Sequence, residues 1–359
     1  FGPMASSALQ DGLISWLRAN GASFESLRFE QSPLGGVGAF AARDLATGSA
    51  LATVPQACVL TAHVACESEL GRAVRRAARK WRIDASLCTS ETVLWIFMCA
   101  GRRDPKHPYH AYLSSLPPSS PDPACWSASL RAGLGCTPLG PTVEEARRAA
   151  SASYDHFVRR LPAHLGALLP NGCLASADDL LWACGMCLSR AFPAALVAPA
   201  GTVAADCPGG CLLPLLDLLN HRPSQSISYL ATRESVRLRT DGAIIAGDEV
   251  FNNYGPRSNE QLLRTYGFCL GERAHPTVDP PSRGRFHATA PAARGACGRV
   301  RAAVRVFVCT QPCVQVRAGA WQRTRGSGTR TAEHVPQDTY RRTIGQHSVP
   351  TRPNPFPVL

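Results

Sequence analysis

Leu13, Ile14, Trp16 and Leu17 fall on one face of a 3.6-residue repeat, and Gly21 follows as a stop, so residues 8–20 predict an N-terminal helix. Beyond it the punctuation is that of β-hairpins. A glycine-rich turn at Leu34-Gly-Gly-Val-Gly38 leads into Ala39–Asp44, and a turn at Ala46-Thr47-Gly48 leads into strand-like Leu51–Val54. The middle changes in kind. Ser90 can cap a helix through Cys99 with Gly101 beyond it, and Thr142 with Glu145 makes a capping-box pattern before a helix towards Arg160. Ser176 with Asp179 does the same before Leu180–Arg190, with Pro193 past the end. After residue 211 alternation returns at Ser226–Tyr229 and Ser235–Arg239. A turn at Asp241-Gly242 precedes Ala243–Ile245, and another at Gly247-Asp248 precedes Val250–Phe251. The pattern predicts an α+β chain: a β-rich body split by a helical insert at about 85–205. It shows no internal repeat.

Composition narrows the reading. With 45% hydrophobic residues in 359, the chain can bury a substantial core, while its longest apolar runs, such as Val93–Ala100, are too short to span a membrane. Met4 is followed by neither a basic stretch nor a long apolar one, so no secretory leader is expected. The net charge of +12 suggests a nucleic-acid partner until it is divided along the chain. Residues 1–280 carry 25 basic and 24 acidic side chains, whereas residues 281–359 carry 13 arginines against 2 acids. Nucleic acid is therefore expected only through that tail, whose Arg-, Gly- and Pro-rich sequence offers one plausible strand, Val304–Val308. The tail reads as disordered chain or as an artefact of the gene model. All but Lys80 and Lys106 of the 38 basic residues are arginine, which points to coding bias rather than binding. The 15 cysteines, odd in number and scattered, read as mostly reduced and buried in an intracellular setting. Cys184 and Cys187 fall on one helix face. Cys207 with Cys211 and Cys309 with Cys313 lack companion pairs, so no metal is expected. The run Arg72–Lys80 reads as a solvated helix face, and His156 and His164 as solvated or packed helical residues.

Two segments carry candidate chemistry. In the first, the apolar run Leu212–Leu216 ends in Asp217-Leu218-Leu219-Asn220-His221; polar groups closing a buried run need partners, which a ligand or neighbouring backbone can supply. The second runs from Glu249 to Phe268. There Tyr254 precedes Gly255, which can bring backbone close to a ligand, and Ser258 can cap a short helix; a plain capped turn would read the same. DLLNH, followed after about 30 residues by YGxRSNxxLLxxYGF, resembles the SET-domain protein methyltransferases, in the subgroup typified by the Rubisco large-subunit lysine methyltransferase. Gly35-Gly-Val-Gly38-Ala-Phe-Ala-Ala-Arg43-Asp44 resembles that subgroup's first motif, and the helical insert matches its layout.

The resemblance spans roughly residues 10–275. It implies a helix at 1–24, then a SET domain at 25–275 of small sheets with a knot-like C-terminal part. It further implies S-adenosyl-L-methionine as cofactor and a monomer acting on a lysine of a non-histone protein, with no membrane partner. Gly36 and Val37 would present backbone to the cofactor, and Arg190 would pair with its carboxylate. Asp217, Leu218, Leu219, Asn220 and His221 would line the adenosine, with Tyr266, Gly267 and Phe268 on its other side. Tyr254 would be the catalytic tyrosine, and Tyr229 and Phe251 would line the substrate channel, Tyr229 being equally a half-buried strand residue. Gly35 departs from the acidic residue common there, and the subgroup's C-terminal helical domain has no counterpart in the tail. An inactive SET module that binds a partner, or a histidine-directed enzyme, are the alternatives. Ala191-Phe192 and Leu216 favour lysine.

Overall fold

A computed structural model describes residues 3–197 and 210–271, with side chains from residue 11 onward. The tail with its expected strand, and Cys207, Cys309 and Cys313, lie outside the described residues. In chain order the elements are α1 (Pro3–Ala19), β1 (Leu27–Gln31), β2 (Val37–Ala41), β3 (Ala50–Pro55), β4 (Leu60–Thr61), α2 (Ala62–Glu67) and α3 (Glu69–Lys80). Six helices follow: α4 (Ser90–Arg103), α5 (His110–Ser115), α6 (Ala128–Ala132), α7 (Leu139–His156), α8 (Leu161–Leu165) and α9 (Ala177–Arg190). The chain then returns to β5 (Ala191–Phe192), β6 (Cys211–Leu212), β7 (Ile227–Ala231), β8 (Ser235–Thr240), β9 (Glu249–Val250) and α10 (Asn259–Tyr266). The expected α+β class is observed. Among the described residues three small antiparallel sheets form, ordered β1-β2-β9, β3-β8-β7 and β4-β6-β5.

Each sheet joins chain from both sides of the insert. β2 meets β9 at Ala39↔Val250 and Phe40↔Glu249, β3 meets β8 from Ala50↔Arg239 to Pro55↔Ser235, and β4 meets β6 at Leu60↔Leu212. The burial pattern of β8, with Val236, Leu238 and Thr240 inward and Arg237 and Arg239 outward, is the period-2 alternation its sequence implies. Between the sheets and the insert lies a core that includes Leu51, Val54, Leu60, Ile96, Met98, Leu113 and Leu213, each at most 1% exposed.

The local signals hold where a cap decides the helix end. Ser176 and Asp179 close a reciprocal capping box on α9, and Ser258 and Gln261 close one on α10. Other expectations are corrected. The Ala46-Thr47-Gly48 turn joins strands of different sheets, because the Gly48 amide donates to the Thr240 carbonyl and Leu45 bridges Ile244. The hairpin forms earlier, between β1 and β2, across Gly35 and Gly36 at φ +97° and +66°. Ala243–Ile245 contributes that single bridge rather than a strand. Thr89, not Ser90, caps α4, which runs through Gly101; a Cβ there would lie 2.5 Å from both His107 and Leu113, so glycine admits the α5 region against the helix. Helix α7 starts at Leu139, placing Thr142 inside it, because buried Leu139, Val143, Ala146 and Ala150 set its register; it ends at His156, before a 3₁₀ turn to Arg160. Two helices, α2 and α3, precede residue 85. Along α3, Ala73, Val74, Ala77 and Ala78 are buried while Arg72, Arg75, Arg76, Arg79 and Lys80 face solvent. His156 and His164 are exposed, the latter with its ring 4.8 Å from that of Trp81. Of the described cysteines five are buried, five half-buried and Cys136 exposed, so fewer are interior than expected. Cys184 and Cys187 are half-buried on α9, where the Cys187 thiol donates to the Met98 sulfur at 3.5 Å.

The last helix is seated by a glycine. Gly267 ends α10 at φ +75°, and a Cβ there would lie 2.6 Å from both Cβ and the carbonyl oxygen of Pro121. Gly267→Ala is accordingly expected to destabilise the chain by about 2 kcal/mol or more through strain and clash together. Chemical denaturation monitored by circular dichroism reads this directly, and an unchanged midpoint would refute it.

Candidate functional site

The run Leu212–Leu216 enters the interior, and Leu215 at φ +78° turns it into a 3₁₀ segment, Leu216–Leu218. From there Leu219–Arg222 runs parallel to Phe251–Tyr254: the Asn252 amide donates to the Asn220 carbonyl at 2.8 Å, and the Arg222 amide to the Asn252 carbonyl at 3.0 Å. This alignment brings the two sequence segments together. His221 accepts the Tyr254 amide on Nδ1 at 3.1 Å and stacks on the Tyr254 ring, centroids 4.6 Å apart at 19°. Tyr266 lies 4.6 Å from the Tyr254 ring, and Phe268 lies 6.2–6.4 Å from Tyr254, Tyr266 and His221. Tyr254 is fully buried, and its hydroxyl donates to the Leu219 carbonyl at 3.1 Å.

Two polar networks hold this aromatic group. In the first, Arg190 Nη1 donates to Asp217 Oδ2 at 2.9 Å and to the Asp217 carbonyl at 3.2 Å, and the Tyr112 hydroxyl donates to the same Oδ2 at 2.9 Å. All three residues are at most 5% exposed. Burial pushes the Asp217 carboxyl upward from the usual range, opposed by Arg190 and by the Tyr112 hydroxyl, and it pushes the Tyr112 hydroxyl well above its ordinary value. Removing either partner of a pair this deep strands a charge at a cost of about 3–5 kcal/mol. In the second network Asn220 Nδ2 donates to Glu249 Oε1 at 2.6 Å and Ser32 Oγ donates to Glu249 Oε2 at 2.9 Å. Ser32 also accepts the Leu34 amide, so the glycine-rich turn is tied through one carboxylate to Asn220.

Most of the expected site residues therefore converge. Asp217, Leu219, Asn220, His221, Tyr254 and Tyr266 are buried together, with Leu218, Gly267 and Phe268 at their edge. Gly36 joins through its carbonyl, which accepts the Ser32 amide at 2.9 Å, Val37 opens β2 opposite Gln31, and a Cβ on Gly36 would meet nothing within 4 Å. Tyr229, 1% exposed on β7, packs edge-on against Phe192 with centroids 5.6 Å apart, and its hydroxyl faces Asn252. Phe251 is buried under the Arg222 guanidinium at 3.8 Å. Sequence reasoning missed Tyr112, Ser32 and Glu249 as site residues. Glu249 alone carried a signal, an acid beside Val250 and Phe251; nothing local marks Tyr112 or Ser32.

The unpartnered acceptors suit a ligand with its own N–H groups. Among the described residues Asp217 Oδ1 and Asn220 Oδ1 are buried acceptors with no hydrogen-bond partner, in side chains at most 1% exposed. A separate cavity of about 110 Å³ is lined by His221, Ser224, Asn253, Gly255, Arg257 and Leu270.

Known proteins resemble the chain in sequence and in fold. The chain is 28% identical over 296 residues to protein-lysine N-methyltransferase EFM1 of Saccharomyces cerevisiae, an alignment covering 72% of this chain and 49% of that one. It is 29% identical over 275 residues to human SET domain-containing protein 4, covering 74% and 59%. A ribosomal lysine N-methyltransferase of Schizosaccharomyces pombe, set10, matches at 47% over 70 residues, 19% of this chain and 13% of that one. The chain thus spans about half to three fifths of the two relatives it matches at length. Among solved structures, the SET domain of LSMT bound to lysine and AdoHcy superposes with a TM-score of 0.57 at 20% identity, covering 74% of this chain and 58% of that one. Rubisco LSMT bound to AdoMet gives 0.56 at 20% identity, covering 76% and 57%. No family model matches. The fold is the SET fold, of the Rubisco LSMT-like type, and the two relatives matched at length are named as a protein-lysine N-methyltransferase and a SET domain-containing protein.

The Nδ1 acceptor role requires an unprotonated ring, and burial lowers the His221 pKa from 6.5 to about 4; half-buried His107 is lowered equally. Both groups take up protons near 6.5 in the unfolded chain and only near 4 in the folded one, so stability rises with pH across that window and is lost as pH falls through it. His221→Asn is expected to flatten the fall in denaturation midpoint between pH 7 and 4.5 without abolishing it, since His107 remains. A slope identical to wild type would show that His221 does not titrate this way.

Proposed function

We propose that the chain is an S-adenosyl-L-methionine-dependent protein-lysine N-methyltransferase whose target is a lysine of a non-histone protein. The observation that carries this reading is the single aromatic group formed by His221, Tyr254, Tyr266 and Phe268, packed beside the buried, unpartnered acceptors of Asp217 and Asn220. Those acceptors fit an amino-acid-bearing adenosine compound, whose ammonium and N–H groups would meet the orphaned oxygens. The relatives at 28–29% identity bear lysine-methyltransferase or SET-domain names, and the solved neighbours carry AdoHcy or AdoMet. The catalytic unit is residues 25–275.

When bound, the cofactor supplies an electrophilic methyl group on a positively charged sulfur. This chain's residues would do the rest. Gly36 and Val37 offer backbone to it, Arg190 faces its carboxylate with the fork that Asp217 orients, and Phe268 with His221 packs on its ring system. The Tyr254 hydroxyl, now on the Leu219 carbonyl, would hold the incoming amine in line with the methyl. Lysine must lose a proton from its ordinary pKa near 10.4, and desolvation beside a fixed positive charge lowers that value, so no separate base is required. Tyr229 and Phe251, buried behind Asn252, would wall the lysine channel.

Tyr254→Phe is expected to keep cofactor binding and folding while cutting methyl transfer on the order of 10²-fold or more, with about 1 kcal/mol of stability lost with the hydrogen bond. Labelling of a lysate with tritiated S-adenosylmethionine by wild type and variant side by side is the test. Equal labelling by both would remove Tyr254 from the chemistry, and no labelling by wild type would sink the assignment.

A further inference from the structure

Tyr112 stands outside every motif of the sequence, yet its hydroxyl reaches the centre of the site. It sits on α5, a six-residue helix packed on α1 and α4, and is 1% exposed. α4 accepts this packing through Gly101, whose missing Cβ leaves room for Leu113 beside Tyr112. The ring is thus held from behind, with one polar atom, and that atom donates to Asp217 Oδ2 at 2.9 Å. The same oxygen takes Arg190 Nη1, which also grips the Asp217 backbone carbonyl.

We propose that Tyr112 is a positioning residue for the cofactor: through Asp217 it fixes the rotamer of the Arg190 guanidinium and the path of the backbone from Asp217 to Asn220. The proposal rests on the methyltransferase reading above and deepens it, because it adds a second part of the insert, α5, to the cofactor site. Without the hydroxyl, Oδ2 keeps only Arg190, and the carboxylate is free to rotate towards its unpartnered Oδ1 side. Arg190, which follows that carboxylate, then leaves the orientation a ligand carboxylate requires. A hydroxyl bound to a charged acceptor in so dry a place is worth enough to change affinity about tenfold. Its loss also has a titration signature. Asp217 is faced by Arg190 of α9 and Tyr112 of α5, with Cys187 of α9 near the Tyr112 hydroxyl, and the tyrosine helps to keep the carboxyl ionised against burial. Removing it moves protonation of Asp217 to higher pH.

The test is isothermal titration of the full chain with S-adenosylhomocysteine, which reads binding without turnover. Expected are binding by wild type, a dissociation constant about tenfold higher for Tyr112→Phe at a melting temperature within a few degrees, and loss of binding at higher pH than in wild type. On an Asp217→Asn background, Tyr112→Phe should add less than twofold. Wild-type binding with an unchanged constant and pH profile in Tyr112→Phe would overturn this proposal alone, as would an undiminished tenfold effect beside Asp217→Asn. Absence of binding by wild type would overturn the methyltransferase reading and this one with it. Should Tyr112→Phe not fold, Asp217→Asn carries the test, and wild-type affinity in that variant refutes the proposal.

Discussion

A single buried carboxylate organises the described structure. Asp217 lies where the apolar run from Leu212 ends, and an ionised group at that depth is tolerated only with close, directional partners. Arg190, the last residue of α9, supplies charge; Tyr112 of α5 supplies a hydroxyl. These come from two different parts of the helical insert, so meeting the electrostatic demand of one side chain fixes the insert against the sheets. The following residues inherit that fixation. Leu219 and Asn220 present their carbonyls to Tyr254 and Asn252, and His221 turns its ring under Tyr254.

Glu249 plays the matching role on the other side. Its two oxygens take Ser32 and Asn220, joining the first turn of the β-body to the segment after the insert. The chain makes room for it at Gly38, where a Cβ would stand 2.4 Å from Oε1. A second ion pair, buried Asp122 with half-buried Arg264 at 2.9 Å, fastens α10 to the insert, and burial again presses that carboxyl upward against the pull of its arginine. Each carboxylate ties an element before or within the insert to one after it. The aromatic group inside them is joined by ring contacts and by hydrogen bonds to backbone.

What could be read from the chain in advance follows from distance along it. Ser176 with Asp179, and Ser258 alone, act within four residues of themselves, and each does what its local chemistry implies. The convergence of Asp217–His221 with Tyr254–Phe268 was legible through resemblance, since the two segments lie some 30 residues apart. Thr142 misled because a buried stripe beginning at Leu139 outweighs a surface cap. The Ala46–Gly48 turn misled because strand partners are chosen by the other end of the chain, Thr240 and Ile244. Tyr112 was invisible: its partner is 105 residues away, and a tyrosine in a short helix looks like any core residue.

The sheets' pairings also say something about time. β3 finds β8, β2 finds β9, and Ser32 finds a carboxylate 217 positions on, so no early, local event can complete the centre of the molecule. Topologies dominated by such distant pairings pay loop-closure entropy before any contact repays it, and they fold slowly for their size. The helices between them, with their own caps and short connections, form on local information and shorten the path that the sheet partners must search. The order of assembly is thereby set, with the insert first and the pocket last. During that interval the strand edges of residues 27–61 and 227–250 remain open to other chains, which makes newly made protein, rather than the finished fold, the stage most exposed to aggregation.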